Sequence, residues 1–542
     1  MTISRREFLS AALATGTAAL PNAAFARKFA PFADDADRNV FKHGVASGDP
    51  RKERVILWTR VSPLKPINSP IEVQWAIAWD PSFRHVVNRG RTETHAGRDF
   101  TVKVDADDLE PGTTYYYRFQ VRGAKSPIGR TRTLPTGHVD RLRFAVASCS
   151  NYPFGYFNAY GLIADRADLD AVLHLGDYLY EYENGAFGDG TPFGRLPVPA
   201  KEIVALEDYR QRHAIYRTDP DLQEVHRQNP FITVWDDHES ANDAWKDGAE
   251  NHDPLTEGSW DARKRAAIRA YFEWMPIRER NDSEGGIYRR FRFGQLAELT
   301  MLDTRLIGRD KQAASPADVA TINDPIRQLL GAPQEQWLFG RLSDSYRDGI
   351  RWRVIGQQIM MAQLSLDFGR SIANPDQWDG YRPARDRLYS HLRNNRIDNV
   401  VVLTGDIHSS WGNDLTPNPF DGSYNPGNGA GSLGVEFVTP GITSPFLFPD
   451  TPAGAAQAAA TAVQLKAISP HIKSAELFRR GYLLLDIDQH RAQGEWYYPQ
   501  TIKQITAAQD TGEVFYSVAG SNYLIPASGP SVPRANAADL AP

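Results

Sequence analysis

A short aliphatic run, residues 171–175, stops at Gly176 and delivers a carboxylate, Asp177, with the phenol of Tyr180 three residues further on. An apolar segment of this length closed by glycine suits a buried strand, and open α/β sheets present their chemistry at the carboxyl ends of such strands. Alone, an aspartate in that place is more often a turn or cap residue. The arrangement recurs, however. Residues 144–147 end at Ser148, Cys149 and Ser150, and residues 231–235 at Asp236, Asp237, His238 and Glu239. Residues 299–302 lead to Asp303, Thr304 and Arg305, residues 352–355 to Gly356, Gln357 and Gln358, and residues 400–403 to Thr404, Gly405, Asp406, Ile407 and His408. Helical patterns intervene at 158–167, 261–272, 333–345 and 384–394, with later strands expected at 434–438 and 481–487 and a helix at 453–463. Alternation of this kind predicts an α/β catalytic domain whose strand ends converge on one site. The Gly, Asn and Pro-rich stretches 184–199 and 412–431 are expected to be long loops near it.

The rest of the chain follows a different pattern. With 542 residues it exceeds what one hydrophobic core supports. Residues 39–134 read as all-β, with 71–78 alternating at period two and turn residues punctuating the runs. Residues 109–119 resemble the tyrosine-corner strand of fibronectin type III domains, with Tyr115 at the corner. A small β-sandwich domain is therefore expected over 39–134, a linker over 135–140, the catalytic domain over 141–500 and a C-terminal extension over 501–542, loose after Pro526.

Arg5 and Arg6 precede a weakly apolar run, 10–20, and the small-residue pattern Ala24-Phe25-Ala26. This reads as a twin-arginine signal peptide over 1–26, which predicts the twin-arginine translocase as an export partner and a periplasmic or secreted protein. The run is too short and too poor in large apolar residues to serve as a mature membrane anchor. Lys plus Arg number 61 against 66 acidic residues, a net charge of −5 that offers no general attraction to nucleic acid or to an anionic membrane surface. Cys149 is the single cysteine, so no internal disulfide forms and its thiol is either a buried apolar group or a working thiolate.

Each polar strand end has a plain structural reading. Cys149 could be a core thiol, His408 a hydrogen-bonded histidine, Asp237 and Glu239 salt-bridge partners, Asp406 a helix cap and Gln358 a satisfied polar core residue. Their co-occurrence argues for a shared site. Ser148 and Ser150 have no His–Asp pair to activate them and read as strand-end hydrogen bonders. Asn151 and Asn242 are further polar candidates.

The motifs Ser148-Cys149-Ser150, Gly176-Asp177-Tyr178-Leu179-Tyr180, Trp235-Asp236-Asp237-His238-Glu239, Ile355-Gly356-Gln357-Gln358 and Gly405-Asp406-Ile407-His408 resemble, in order and spacing, the alkaline phosphatase D family. That family is similar to purple acid phosphatases within the calcineurin-like metallophosphoesterases. The resemblance implies a two-sheet α/β sandwich preceded by a small fibronectin type III-like β-sandwich domain, and a centre of Fe3+ and Ca2+. By position it implies iron held by Cys149, Asp177, Tyr180 and His408, and calcium held by Asp177 as bridge with Asp237 and Asp406, Gln358 being a weaker candidate. Ligand hardness agrees, since thiolate, phenolate and imidazole suit a transition metal and a carboxylate set suits Ca2+. Asp237 is preferred to Asp236 through the alignment of His238.

The expected function is a secreted alkaline phosphatase acting on small-molecule phosphate monoesters, and on diesters, by in-line attack of a metal-bound hydroxide. His238 is expected to orient phosphate or protonate the leaving oxygen, and Arg305 to act as a phosphate fork or a structural salt bridge. A monomer is expected. The alternatives are a phospholipase D-like phosphodiesterase and, from another class, a non-catalytic periplasmic binding or adhesion protein.

Overall fold

The computed structural model describes residues 39–63, 65, 67–279 and 286–542; the twin-arginine segment lies outside them. The N-terminal strands are β1 (Val45–Gly48), β2 (Val55–Arg60), β3 (Ile71–Ala78), β4 (Val86–Thr94), β5 (Thr101–Ala106), β6 (Thr114–Val121), β7 (Ala124–Lys125) and β8 (Gly129–Arg132). They are followed by β9 (Arg141–Ala147), β10 (Ala171–His174), β11 (Pro230–Thr233), β12 (Arg289–Phe293), β13 (Ala297–Met301), β14 (Trp352–Gly356), β15 (Val400–Thr404), β16 (Ser410–Leu415) and β17 (Gly434–Val438). The last are β18 (Ile472–Glu476), β19 (Tyr482–Asp488), β20 (Arg491–Pro499), β21 (Gln509–Val518) and β22 (Ile525–Pro526).

Two sheets carry the site. The first has ten strands in the order β22-β21-β20-β19-β9-β10-β11-β1-β2-β5, with β9, β10 and β11 parallel. The second has seven, β12-β13-β14-β15-β17-β16-β18, with β13, β14, β15 and β17 parallel. Continuously apolar strands follow from burial on both faces. In β15, Val401 and Leu403 pack between the sheets with Val146 and Leu173, while Val402 points to the other side. There it meets Leu338 and Leu388 of the helices Ala332–Arg347 and Arg382–Asn394. Helices Leu206–Tyr216, Pro220–Gln228 and Trp260–Trp274 cover the first sheet through Tyr209, Leu222 and Tyr271.

The N-terminal sandwich is not a detached bead. Its one sheet, β4-β3-β6-β7 with β8 beside β6, packs through Val73, Ile77 and Phe119 onto Val45, Leu57 and Val104. These last belong to β1, β2 and β5, which extend the catalytic sheet beyond β11. The corner reading of Tyr115 is met: its hydroxyl accepts the backbone N–H of Glu110 at 2.7 Å.

Two expectations from sequence differ from the structure. The stretch 412–431 begins inside strand β16, which pairs with both β17 and β18. The residues after Pro526 are tied down: Arg534 Nη2 donates to Asp170 Oδ2 at 2.7 Å, and Gln228 exchanges hydrogen bonds with Ala541. Small polar residues read as loose because their partners lie far away in the chain. Among the described residues no helix is long and apolar enough to cross a membrane.

Candidate metal centre

The carboxyl ends of β9, β10, β11, β13 and β15 bring their polar residues to one buried locus. Three ligand groups form there, each with donor atoms within 4.8 Å of one another: Cys149, Asp177 and His408; Asp177, Asp237 and His238; and Asp236, Asp237 and Asp406. Asp177 belongs to the first two and Asp237 to the last two, so the groups form a connected chain.

Backbone geometry explains how successive strand ends aim inward. Cys149, Asp177, Asp406 and His408 have φ of 59°, 54°, 59° and 57°, a left-handed conformation that side-chain-bearing residues seldom adopt. Each costs on the order of 1 kcal/mol, and such outliers gather at functional sites. Gly176, at φ 108°, has a stricter role: a Cβ there would sit 2.4 Å from the Cβ of Asp236, so only glycine lets these two loops touch. Cys149 N–H then bonds the Gly176 carbonyl at 3.1 Å, and Ser150 N–H that of Asp177 at 2.9 Å.

One end of the locus carries sulfur, nitrogen and phenol. The Tyr180 hydroxyl donates to Asp177 Oδ2 at 2.9 Å, lies 3.1 Å from His408 Nε2, and accepts from Ser444 Oγ at 2.7 Å. His408 Nδ1 donates to the Pro445 carbonyl at 2.9 Å, which leaves Nε2 facing the locus with its lone pair. Burial, and then the charge of Asp177, push both the Cys149 thiol and the Tyr180 phenol well above their ordinary pKa values.

The other end is all carboxylate. Asp237 accepts backbone N–H groups of His238 at 3.0 Å and Asp243 at 2.6 Å. Asp406 accepts from Arg305 Nη2 and Gln377 Nε2, both at 2.7 Å. Arg305 is fully buried, with Nε against Asp236, Nη1 against Asp376 and Nη2 against Asp406. In this arrangement its nitrogens are engaged by carboxylates, the contacts of the salt-bridge reading. Gln358 is likewise engaged: Oε1 accepts from Thr304 N and Oγ1 at 3.0 and 2.6 Å, and Nε2 donates to Leu302 O at 3.0 Å. Its amide holds the turn after β13.

The residues fit cations. Among the described residues Asp177 Oδ1 and Asp236 Oδ2 are buried with no hydrogen-bond partner, and four carboxylates share this locus with one guanidinium. Burial drives Asp236 well above its usual pKa; Arg305 pulls it back, and Asp237, Asp177 and Asp406 raise it again. A bound cation relieves such crowding. The donor set divides as metal preference does, a thiol–imidazole–phenol end joined to a carboxylate end through Asp177.

Glu239, read from sequence as a salt-bridge partner, has another role here, and Glu181, Asp376 and Phe187 were not picked out at all. Glu239 accepts three backbone N–H groups, Asp177 at 3.1 Å, Tyr178 at 2.7 Å and Asp236 at 2.8 Å, stitching the ends of β10 and β11 together. Glu181, fully buried, accepts His238 Nδ1 at 2.7 Å, Asn242 N at 2.8 Å and Asn251 Nδ2 at 2.9 Å. Burial alone would lower the His238 pKa, but the charges of Glu181, Asp237 and Asp177 override it and push it up to about 10. Asp376 sits in an Asn-Pro-Asp turn with no strand before it, so no pattern marked it. Phe187, from the loop after Glu181, lies over the locus: its ring is near-parallel to those of His238 and His408 at centroid distances of 6.4 and 6.2 Å. Asn151 Nδ2 holds the Phe187 carbonyl at 3.1 Å.

Residues 144–496 match the family model of the PhoD-like phosphatase, and residues 25–135 that of the PhoD-like phosphatase N-terminal domain. The chain is 36% identical over 492 residues to alkaline phosphatase D of Bacillus subtilis (strain 168), an alignment covering 88% of this chain and 80% of that one. It also superposes on the solved structure of PhoD with a TM-score of 0.81 and 34% identity, over 91% of this chain and 93% of that chain. Fold, site and relatives together define a phosphoric ester hydrolase. The chain belongs to the PhoD-like phosphatase family. The reading of a non-catalytic adhesion protein falls with that membership.

Proposed function

We propose that this phosphatase is exported through the twin-arginine route and hydrolyses phosphate monoesters, and diesters, at a mixed centre of Fe3+ and Ca2+. The observation that carries the metal assignment is the division of one buried cluster, with Cys149, Tyr180 and His408 at one end and Asp237 and Asp406 at the other, joined by Asp177. Iron would be held by the first set and calcium by the second, with Asp236 beside it. When bound, the two cations supply Lewis acidity toward phosphate oxygens and an activated water.

The chain's own groups do the rest. Glu181 fixes the His238 ring and keeps a proton on Nδ1, leaving the other ring nitrogen to face a phosphate or leaving oxygen. Arg305 holds Asp236 and Asp406 in place, and Phe187 keeps bulk water from that side of the locus.

The test is elemental analysis of protein purified without chelators, paired with turnover of 4-nitrophenyl phosphate and bis(4-nitrophenyl) phosphate. Iron near one atom per chain with calcium at one or more, lost in Cys149→Ser and Asp177→Asn, is the expected result. Two zinc or manganese ions would overturn the metal partition while leaving the phosphatase. Wild-type turnover with full metal content in either variant would overturn the ligand assignment.

A further inference from the structure

A cationic cavity, apart from the metal centre, lies where β1, the connection 134–137 and edge strand β12 meet. A cavity of about 660 Å³ opens there. Among the described residues Arg51, Lys52, Arg278, Arg289, Arg290 and Arg292 line it, against one acid, Asp49. Asp49 is already occupied: it accepts from Arg289 Nε at 2.9 Å, Arg289 Nη2 at 2.6 Å and the backbone N–H of Arg278 at 2.8 Å. In a chain of net charge −5 this is a concentrated positive wall, and a concave shape focuses its field.

The partners of Arg292 and Lys52 leave them able to turn. Arg292 meets Asp348 at 2.7 Å, Arg290 meets Glu298 at 3.4 Å and Lys52 meets Glu53 at 2.9 Å. The Arg292–Asp348 and Lys52–Glu53 pairs are exposed on both sides, and ion pairs of that kind are weak and readily exchanged, whereas Arg290, 43% exposed, engages the buried Glu298 carboxylate through Nη1. Asp49 and Asp105 both act on Arg51, but they are already taken by Arg289 and by Arg54 and Arg278. Burial and the nearby charge of Arg278 lower the Arg51 pKa, a penalty that a bound anion would remove.

Arginines on β12 alone could be explained as charges that keep an edge strand from pairing with another chain. That reading covers Arg290 and Arg292 but not Arg51 and Lys52, which come from a separate segment to the same cavity. Arg290 and Arg292 share one face of β12, roughly 7 Å apart along the strand, a spacing that suits successive anionic groups and not a single carboxylate. Tyr288 and Trp337, with ring centroids 4.9 Å apart, wall one side.

We propose that this cavity is an anion-binding site, separate from the metal centre, for a ligand carrying two or more phosphoryl groups. Arg51, Lys52, Arg290 and Arg292 bind the phosphoryl oxygens through charge-assisted hydrogen bonds. The site anchors such a ligand and does not cleave it.

The experiment is calorimetric titration of tripolyphosphate into the full chain bearing Asp177→Asn, without added cations, so that the metal centre does not contribute. One tripolyphosphate per chain is expected, with affinity falling as salt rises. Arg51→Ala and Arg292→Ala, each added to that background, should weaken it about tenfold or more, and Arg51→Lys should restore most of it. The same arginine substitutions in the otherwise wild-type enzyme should leave turnover of a small monoester unchanged. No binding in the Asp177→Asn chain, or binding indifferent to both arginine substitutions, would overturn the site.

Discussion

The Tyr180 hydroxyl donates to Asp177 Oδ2 across 2.9 Å. The phenol is protonated in this arrangement, and so is the Cys149 thiol, both held above their ordinary pKa values by burial and by Asp177. A thiolate and a phenolate are what a transition metal takes. Loading of a transition metal should therefore release about two protons from this pair, and its affinity should rise with pH through the neutral range. Calorimetry in buffers of different ionisation enthalpy measures the release. Tyr180→Phe should release about one proton fewer; a metal affinity independent of pH would contradict the pairing.

Glu239 makes a prediction about stability. Its carboxylate is the shared acceptor for the N–H groups of Asp177, Tyr178 and Asp236. Glu239→Ala leaves three buried donors without it, which should cost about 3 kcal/mol or more in urea unfolding of the metal-free protein. Glu239→Gln, which keeps an acceptor oxygen, should cost clearly less.

Acid should weaken the fold through its buried histidines. His174 and His213 are fully buried, and desolvation pulls each down to about 3, with Arg217 adding to the effect on His213. Below about 6.5 the unfolded chain takes up protons that the folded chain refuses. Each histidine thus withdraws up to about 1.4 kcal/mol per pH unit as pH falls from about 6.5 toward 3. Glu239, pushed up to about 8 by burial and Asp177, acts with the opposite sign. The informative measurement is therefore the difference between His174→Gln and wild type in thermal melts at several pH values. That difference should narrow as the solution is acidified.

Phe187→Ala removes the ring that lies against His238 and His408. An aromatic pair contributes roughly 0.5–1.5 kcal/mol beyond simple burial. Turnover efficiency on aryl phosphates should fall about three- to tenfold with metal content unchanged. An unaltered ratio of aryl to alkyl phosphate turnover would show that the ring takes no part in holding the ester group.

Much of the centre was legible because a strand buried on both faces must be apolar along its length, so Asp177 and His408 stand out where the apolar run stops. Cys149 gained meaning from the same position. Arg305 and Gln358 also sit at strand ends, yet their side chains are engaged by Asp236, Asp376, Asp406, Thr304 and Leu302. Position alone does not separate a ligand from a brace. Glu181, Gln377 and Asp376 lay on loops, where no period selects one polar residue over its neighbours. The left-handed backbone of Cys149, Asp406 and His408 was illegible for a related reason: no glycine marks it.

The pairing of Gly48 with Phe231, which joins the N-terminal strands to the catalytic sheet, has a consequence for anyone dividing the gene. Residues 135–140 look like a hinge between two parts, and a cut there would seem safe. It would instead leave β11 with a bare row of amide and carbonyl groups on the fragment meant to work alone, and β1 with the matching row on the other. Fragments made this way should behave as a split enzyme, precipitating when expressed separately and regaining solubility when expressed together.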